Sequence, residues 1–157
     1  MALKGMSAQG TIIERSIDPL WPDASPVGGP VAFTAIAQLK NITAPPLTRK
    51  ELETTTHNES ADQYIVGISR HGTFTATLNF VPQDPSQDHL TGLQKAWLDG
   101  TRDIYRLTFP DKISTHGTQW IFSGFVTNFA PVANVDSVLD VTIGIRPTGQ
   151  HAFVAAS

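Results

Sequence analysis

The side chains of this chain best suited to acid–base or metal chemistry near neutral pH are five histidines: His57, His71, His89, His116 and His151. They are scattered. None makes an HxH or HxxxH pair, the spacings that set two imidazoles on one face of a strand or helix. Glu51 and Glu53 fall on the same side of an extended segment, as a carboxylate pair must. The segment offers no apolar enclosure to raise a pKa, so a solvated or interfacial face is the plainer reading. Gly67-Ile68-Ser69-Arg70-His71-Gly72 sets a serine between glycines, as a nucleophile elbow does. The glycine spacing differs, and a turn entering a strand is expected there instead of a strand-to-helix turn. Asp88-His89 opens a predicted helix, where the aspartate is favourable charge at the N-terminal dipole. Asp136 and Asp140 share a polar strand face with Arg146 and read as surface charge. Trp21, Trp97 and Trp120 could stack on sugars if exposed; Trp97 sits on a helical apolar stripe, and Trp120 is expected beneath or beside it. No phosphate-cradling glycine loop is present. The residues meet none of the criteria of a catalytic site, so no enzyme, cofactor or metal is expected.

Composition narrows the class. The 157 residues suit one domain, and the absence of cysteine excludes disulfides and thiolate metal sites. A formal net charge of −3 lacks the basic excess of a nucleic-acid binder. The first sixteen residues lack the apolar core of a signal peptide, and no apolar run reaches the ~18–20 residues of a membrane span. The expectation is a soluble product of the cytoplasm with no membrane partner.

The elements that would position these side chains are mostly strands. Short strands are expected at Gln9–Glu14 and Val31–Leu39, with a Pro/Gly-rich loop at Ile17–Pro30 between them and Asn41–Pro46 ending the second. Thr73, Thr75, Thr77 and Asn79 alternate with Phe74, Ala76, Leu78 and Phe80, so residues 72–80 read as a strand with one apolar face. A helix is expected over 86–99, with Asp84 as N-cap, Pro85 first, Gln87 completing a capping box and Gly100 as the stop. Leu90, Leu93, Trp97 and Leu98 would form its buried stripe. Strands follow at Asp103–Phe109, after which Pro110-Asp111-Lys112 turns, at Gln119–Phe129 and at Val135–Ile145. In Gln119–Phe129, Ile121, Phe125 and Phe129 face one way, and Trp120, Phe122 and Val126 the other, so both faces are expected to be covered. In Val135–Ile145 the apolar face is Val135, Leu139, Val141, Ile143 and Ile145. Pro147-Thr148-Gly149 is expected to end the last strand and residues 150–157 to be a mobile tail. Six or seven strands and one helix make a mainly β fold: a single β-sandwich, half-barrel or small barrel with one flanking helix, spanning 1–149.

Between Pro45 and Gln63 the chain is polar and Thr-rich with little apolar pattern, and residues 45–62 read as a long loop built for a partner. Its candidate contact residues are Arg49, Lys50, Glu51, Glu53, Thr55, His57, Asn58 and Glu59.

Residues 51–80 resemble the hallmark segment of the tail tube proteins of long-tailed, non-contractile bacteriophages and prophages. The resemblance rests on Leu52, Thr54, Thr55, Thr56 and His57, then Glu59-Ser60, Tyr64, Gly67-Ile68, Gly72 and Asn79-Phe80. Gly10-Thr11, the helix, Phe109-Pro110-Asp111, Phe122-Ser123-Gly124-Phe125-Val126 and Thr148-Gly149 follow in the same order, covering residues 9–149. It departs at Gly67-Ile68-Ser69-Arg70-His71, where many relatives carry an acidic residue before the glycine. The resemblance implies six subunits in a ring, stacked rings, and inner sheets joined into one barrel around a channel that passes DNA. The loop would reach a neighbouring subunit or ring and order only on assembly. Partners would be the chain itself and the tape-measure, tail-tip and tail-terminator proteins. DNA would touch the lumen transiently, and the setting would be the virion tail, with the protein made in the bacterial cytoplasm. Thr73, Thr75, Thr77 and Asn79 would face either the lumen or bulk solvent. A sugar-binding β-sandwich using Trp21 or Trp120, and a tube protein of a contractile tail or secretion device, are the alternatives.

Overall fold

The alternating segments of the sequence pair into one antiparallel sheet. The computed structural model describes residues 7, 9–17 and 32–157, which form nine strands and one helix. In chain order the strands are β1 (Ile12–Ser16), β2 (Thr34–Ala35), β3 (Leu39–Thr43), β4 (Leu47–Glu53), β5 (Tyr64–His71) and β6 (Phe74–Asn79). Helix α1 (Leu93–Asp99) comes next, then β7 (Arg102–Thr108), β8 (Gln119–Val132) and β9 (Asp140–Val154). Seven strands form one sheet in the order β2-β1-β7-β8-β9-β6-β3; β4 and β5 pair separately. The expectation of a mainly β fold with one helix holds. The expected loop at Ile17–Pro30 and the residue Trp21 lie outside the described residues, apart from Ile17.

The period-2 pattern at 72–80 does what it predicts. Phe74, Ala76 and Leu78 are buried, and Thr75 is exposed. They meet Val141, Ile143 and Ile145 of β9, Trp120, Phe122 and Val126 of β8, and Tyr105 and Leu107 of β7 in the main core. Each fully buried large apolar side chain contributes roughly 1.5–3 kcal/mol. Both faces of β7 and of the first part of β8, through Gly124, are covered, whereas the later part of β8 is open on its outer face. The second layer is a small cluster of Ile104 and Ile121 with Phe33, Ala152 and Val154, with no helix in it.

Several boundaries differ for identifiable reasons. The segment 31–39 splits into β2 and β3 around Gln38, a left-handed residue at φ 62°, and β3 runs on through Asn41 to Thr43. The strand at 72–80 begins at Phe74. The helix is half as long as expected, because residues 82–91 are tied into turns. Asp84 accepts from the Ser86 amide (2.8 Å), and Asp88 accepts from the amides of Leu90, Thr91 and Gly92. The N-cap is therefore Gly92, and Leu93 and Ala96 are the buried pair. Leu90, Leu98 and Trp97 are exposed, Trp97 by 48 %. Gln87 makes no capping box. It is buried, its Oε1 accepts from the Val81 amide (3.0 Å), and its Nε2 donates to the carbonyls of Ala37 (3.0 Å) and Asn79 (3.2 Å). Gly100 is the stop, at φ 62°, donating to the Ala96 carbonyl.

Strand β8 outruns its expected end, and a register shift between Val126 and Asn128 reverses its alternation. Phe129 consequently packs on the main core with Val126, and Phe125 is exposed. Strand β9 starts five residues late, because Val135 lies fully exposed in the β8–β9 turn. Pro147-Thr148-Gly149 does not end it. Gly149, at φ 77°, lies in a second shift of register, after which Ala152, Phe153 and Val154 pair with Ile121, Trp120 and Gln119. The tail expected to be mobile is thus bound. Residues 150–154 are strand, and the Ser157 carbonyl accepts from the amides of Ser114, Thr115 and His116.

Candidate functional site

Two surfaces of this fold lack a partner among the described residues. The first is the hairpin of β4 and β5, hereafter the arm. The segment expected to be a loop at 45–62 is instead a strand, a tied turn and the approach to a second strand. The ladder pairs Leu47 with His71, Arg49 with Ser69, Glu51 with Val66 and Glu53 with Tyr64. It was invisible as strand because every residue of β4 is exposed, so no apolar–polar alternation exists. Its Thr, Val, Ile and Tyr content still favours extended chain. At the root, the Gly72 amide donates to the Pro46 carbonyl (2.8 Å), and a Cβ on Gly72 would lie 2.4 Å from the Pro46 ring. At the tip, Thr54 donates to Gln63 (2.8 Å), Gln63 to the Thr55 hydroxyl (2.9 Å) and the Thr56 amide to Glu59 (2.9 Å). The arm therefore carries its own hydrogen bonds in the single chain, against the expectation that it orders only on assembly.

The expected contact residues divide along it. Arg49, Lys50, Glu51 and Glu53 lie on β4; Thr55, His57, Asn58 and Glu59 form the tip. Sequence reading missed the apolar half. Tyr64, Ile65, Val66 and Ile68 of β5 are exposed, Ile68 by 80 %. Four such neighbours without a core are the signal that could have marked β5 as interface. The Gly67–Gly72 elbow motif runs through β5 with no strand-to-helix turn, so Ser69 is a ladder residue. Asp88 is held below the ordinary carboxylate range, foremost by the Thr91 amide, and serves as a turn-former.

At the root the arm meets β9 across a cleft of about 520 Å³ lined by Arg49, Arg70, His71, Gln150, His151 and Phe153, among others. The His71 and His151 rings stack at 3.8 Å, and the Trp120 Nε1–H donates to His151 Nδ1 (2.7 Å). Burial, and secondly the charge of His71, lower the His151 pKa to about 4, so this ring is neutral at pH 7. Trp120 is only 8 % exposed, between Phe122 and Phe153, and is no platform for a sugar.

The second surface is the outer face of the β3-β6-β9-β8 half of the sheet. Cross-strand neighbours share a face. The register aligns Thr43, Thr75, Gly144 and Asn128 in one row, and Asn41, Thr77, Thr142 and Ala130 in the next. Asn79 adjoins Asp140, whose carboxylate is paired with Lys40 at 2.7 Å. Thr75, Thr77 and Asn79 therefore belong to a wider polar surface of small side chains, bordered on β9 by Arg146, with Thr73 just before the first ladder pair. Asn41, Thr43, Asn128 and Thr142 were missed, since neighbouring strands align only once pairing is known. Among the described residues the sheet also ends in open edges at β2 and β3. The far side of β3 pairs with no strand among the described residues, and a cleft of about 540 Å³ lies beside it, lined in part by Ile42, Leu107 and Phe109. Among the described residues, no three His, Asp or Glu side chains converge as metal ligands.

Comparison with known proteins gives these surfaces a context. Residues 22–157 match the family model described as phage tail tube, TTP, lambda-like. "Structural protein 3" of Pseudomonas phage PAJU2 is 26% identical over 121 residues, 68% of this chain and 74% of that protein. In fold, the chain is similar to the SPP1 tail tube protein (TM-score 0.72, 8% identity, 96% of this chain and 80% of that one). It is also similar to a chain from the tail of an empty gene transfer agent particle refined with C6 symmetry (0.69, 13%, 96% and 100%). A chain from the anti-feeding prophage baseplate gives a TM-score of 0.66 at 11% identity, covering 100% of this chain and 99% of that one. The chain belongs to the lambda-like phage tail tube family and is a structural protein of the virion tail.

Proposed function

We propose that the subunits join edge to edge into a closed ring, six to a turn, and that the rings stack into a hollow tube that passes DNA. The observation that carries this reading is the pairing of open sheet edges with a separate, solvent-exposed arm. An unpaired edge invites a further strand, and ring closure leaves no edge over. In this reading β3 of one subunit extends the sheet of the next, and the arm bridges to a neighbouring subunit or ring. The Thr/Asn face, whose Lys40 and Asp140 are paired, lines the channel. Such a wall lets a polyanion slide, where a repeated basic patch would hold DNA through many released counterions. The protein performs no chemistry; its work is geometric. Tape-measure, tail-tip and terminator proteins would meet the finished tube.

The test is deletion of the whole arm, residues 47–71. The chain can be rejoined with a short glycine link because Pro46 and Gly72 are already hydrogen-bonded at 2.8 Å. The expected product keeps its β circular dichroism and cooperative melt but forms no tubes by electron microscopy. Tubes of normal appearance would remove the arm from assembly. The similarity to both a SPP1 tail tube and contractile injection system chains keeps the contractile setting as the second reading.

A further inference from the structure

The arm is electrically segregated. Arg49, Lys50 and Arg70 lie in its root half, and Glu51, Glu53, Glu59 and Asp62 in its outer half and tip. None of the seven makes an ion pair among the described residues, although sheet charges do. Arg15 pairs with Asp103, Arg106 with Glu14, and Lys40 with Asp140. Lys50 and Glu51 are neighbours at the middle of the arm, but Glu59 and Asp62 at the tip cannot neutralise Arg49 and Arg70 at the root within one chain. The seven residues of β4 span about 20 Å at ~3.3 Å per residue, more than twice the ~8 Å screening length at physiological salt. The ladder holds a register shift between Arg49 and Glu51, but its remaining pairs keep the tip away from its own root. A second copy can supply the missing partner, since identical chains in a repeating assembly present an acidic tip wherever they present a basic root. That is a heterologous contact, the kind that propagates.

The cleft at the root is shaped for it. It opens between the arm and the end of β9 and is lined by Arg49 and Arg70 from opposite faces of the ladder, where Arg49 pairs with Ser69 and Arg70 with Thr48, and by the exposed Phe153 ring. Among the described residues, neither its walls nor its floor includes a carboxylate.

We propose that the acidic tip of one subunit's arm docks in the root cleft of another subunit, setting Glu59 and Asp62 against Arg49 and Arg70. The proposal rests on the arm's role in assembly and names its acceptor site. Guanidinium–carboxylate pairs give this contact direction and register, and like charges brought together there repel.

The test is a charge swap in two chains. Arg49→Glu/Arg70→Glu carries an acidic root, and Glu59→Arg/Asp62→Arg a basic tip. Of the four swapped charges, Arg49, Asp62 and Arg70 lie on exposed side chains, and Glu59 is half-buried with its carboxylate accepting from the Thr56 amide, so each variant is first matched to the wild-type circular dichroism and melting profile. Alone, each meets like with like, and the concentration needed for tubes rises at least about tenfold. Mixed in equal amounts, each acidic tip finds a basic root and each basic tip an acidic root. Mixed tubes then form within about threefold of the wild-type concentration. Folded variants that assemble alone like wild type overturn the docking proposal, and so does a mixture that stays as inert as its parts. If the arm deletion itself still makes tubes, the assembly role of the arm falls, a result distinct from either of these.

Discussion

Cutting one partner from the Arg15–Asp103 pair should damage the fold far more than replacing both. Arg15 Nε donates to Asp103 Oδ2 at 2.8 Å, and its Nη1 donates to the Thr91 carbonyl at 2.8 Å. It ties β1 to β7 and to the turn before the helix. Asp103 is 1 % exposed and its Oδ1 has no hydrogen-bond partner. Burial pushes the Asp103 pKa up, outweighing the opposing Arg15 charge. The sign of the linkage follows. With its folded pKa above the ordinary 3.8, this carboxyl loses stability as pH rises from 3.8 through the folded value. At pH 7 the ion pair is accordingly no net source of stability. Asp103→Ala leaves a buried guanidinium that cannot deprotonate, at a cost of about 3–5 kcal/mol out of a typical 5–15. Arg15→Met strands a carboxylate that can take up a proton, so its loss shrinks as the pH falls toward 5. The double variant Arg15→Met/Asp103→Leu should lie within about 1 kcal/mol of wild type. Urea unfolding at pH 7 and pH 5 measures all three. The reasoning is refuted if Asp103→Ala costs under about 1 kcal/mol, or if the double variant costs the sum of the singles.

The His151 ring gives a second pH dependence of opposite sense. Its pKa is lowered to about 4 by burial and His71, so the neutral form is favoured on folding and stability is lost as pH falls from about 6.5 to about 4. Partial exposure limits the loss to about 1–2 kcal/mol. His151→Phe should flatten the melting temperature over that window, and an unchanged slope would contradict the assignment. Two glycines separate space from conformation. Gly124→Ala sets a Cβ 2.6 Å from the Arg146 carbonyl oxygen, where backbone must move, and should cost about 1–3 kcal/mol. Gly100→Ala meets nothing within 4 Å but keeps φ at +62°, and should cost about 1 kcal/mol by denaturant titration. Equal costs at the two sites would mean that crowding between β8 and β9 is relieved elsewhere.

Where one face of a strand is buried, the sequence was readable. The alternation around Phe74 and Leu78 predicted both the strand and its core face. Phe129 defeated the same rule, because a bulge at Val126–Asn128 reverses the face and nothing local announces it. Asp88 spoiled the helix prediction by capping a turn four residues ahead of the N-cap Gly92, and Pro147-Thr148-Gly149 proved to lead into a shift of register. The arm was the largest error of form. Its strands bury nothing in their own chain, so the pattern that betrays a strand is missing. Its polar, Thr-rich run without a core pattern is what marked it as a segment proposed for a partner. Trp120 could be read as buried from its neighbours, whereas its hydrogen bond to His151, 31 residues away, could not.

Cryo-electron microscopy of the purified protein, concentrated until it assembles, addresses the central claim most directly. The account predicts hollow tubes of stacked rings in which β3 continues the sheet of an adjacent subunit and Thr73, Thr75, Thr77 and Asn79 face the channel. Tubes lined instead by the arm, or an assembly whose sheets never meet edge to edge, would contradict it.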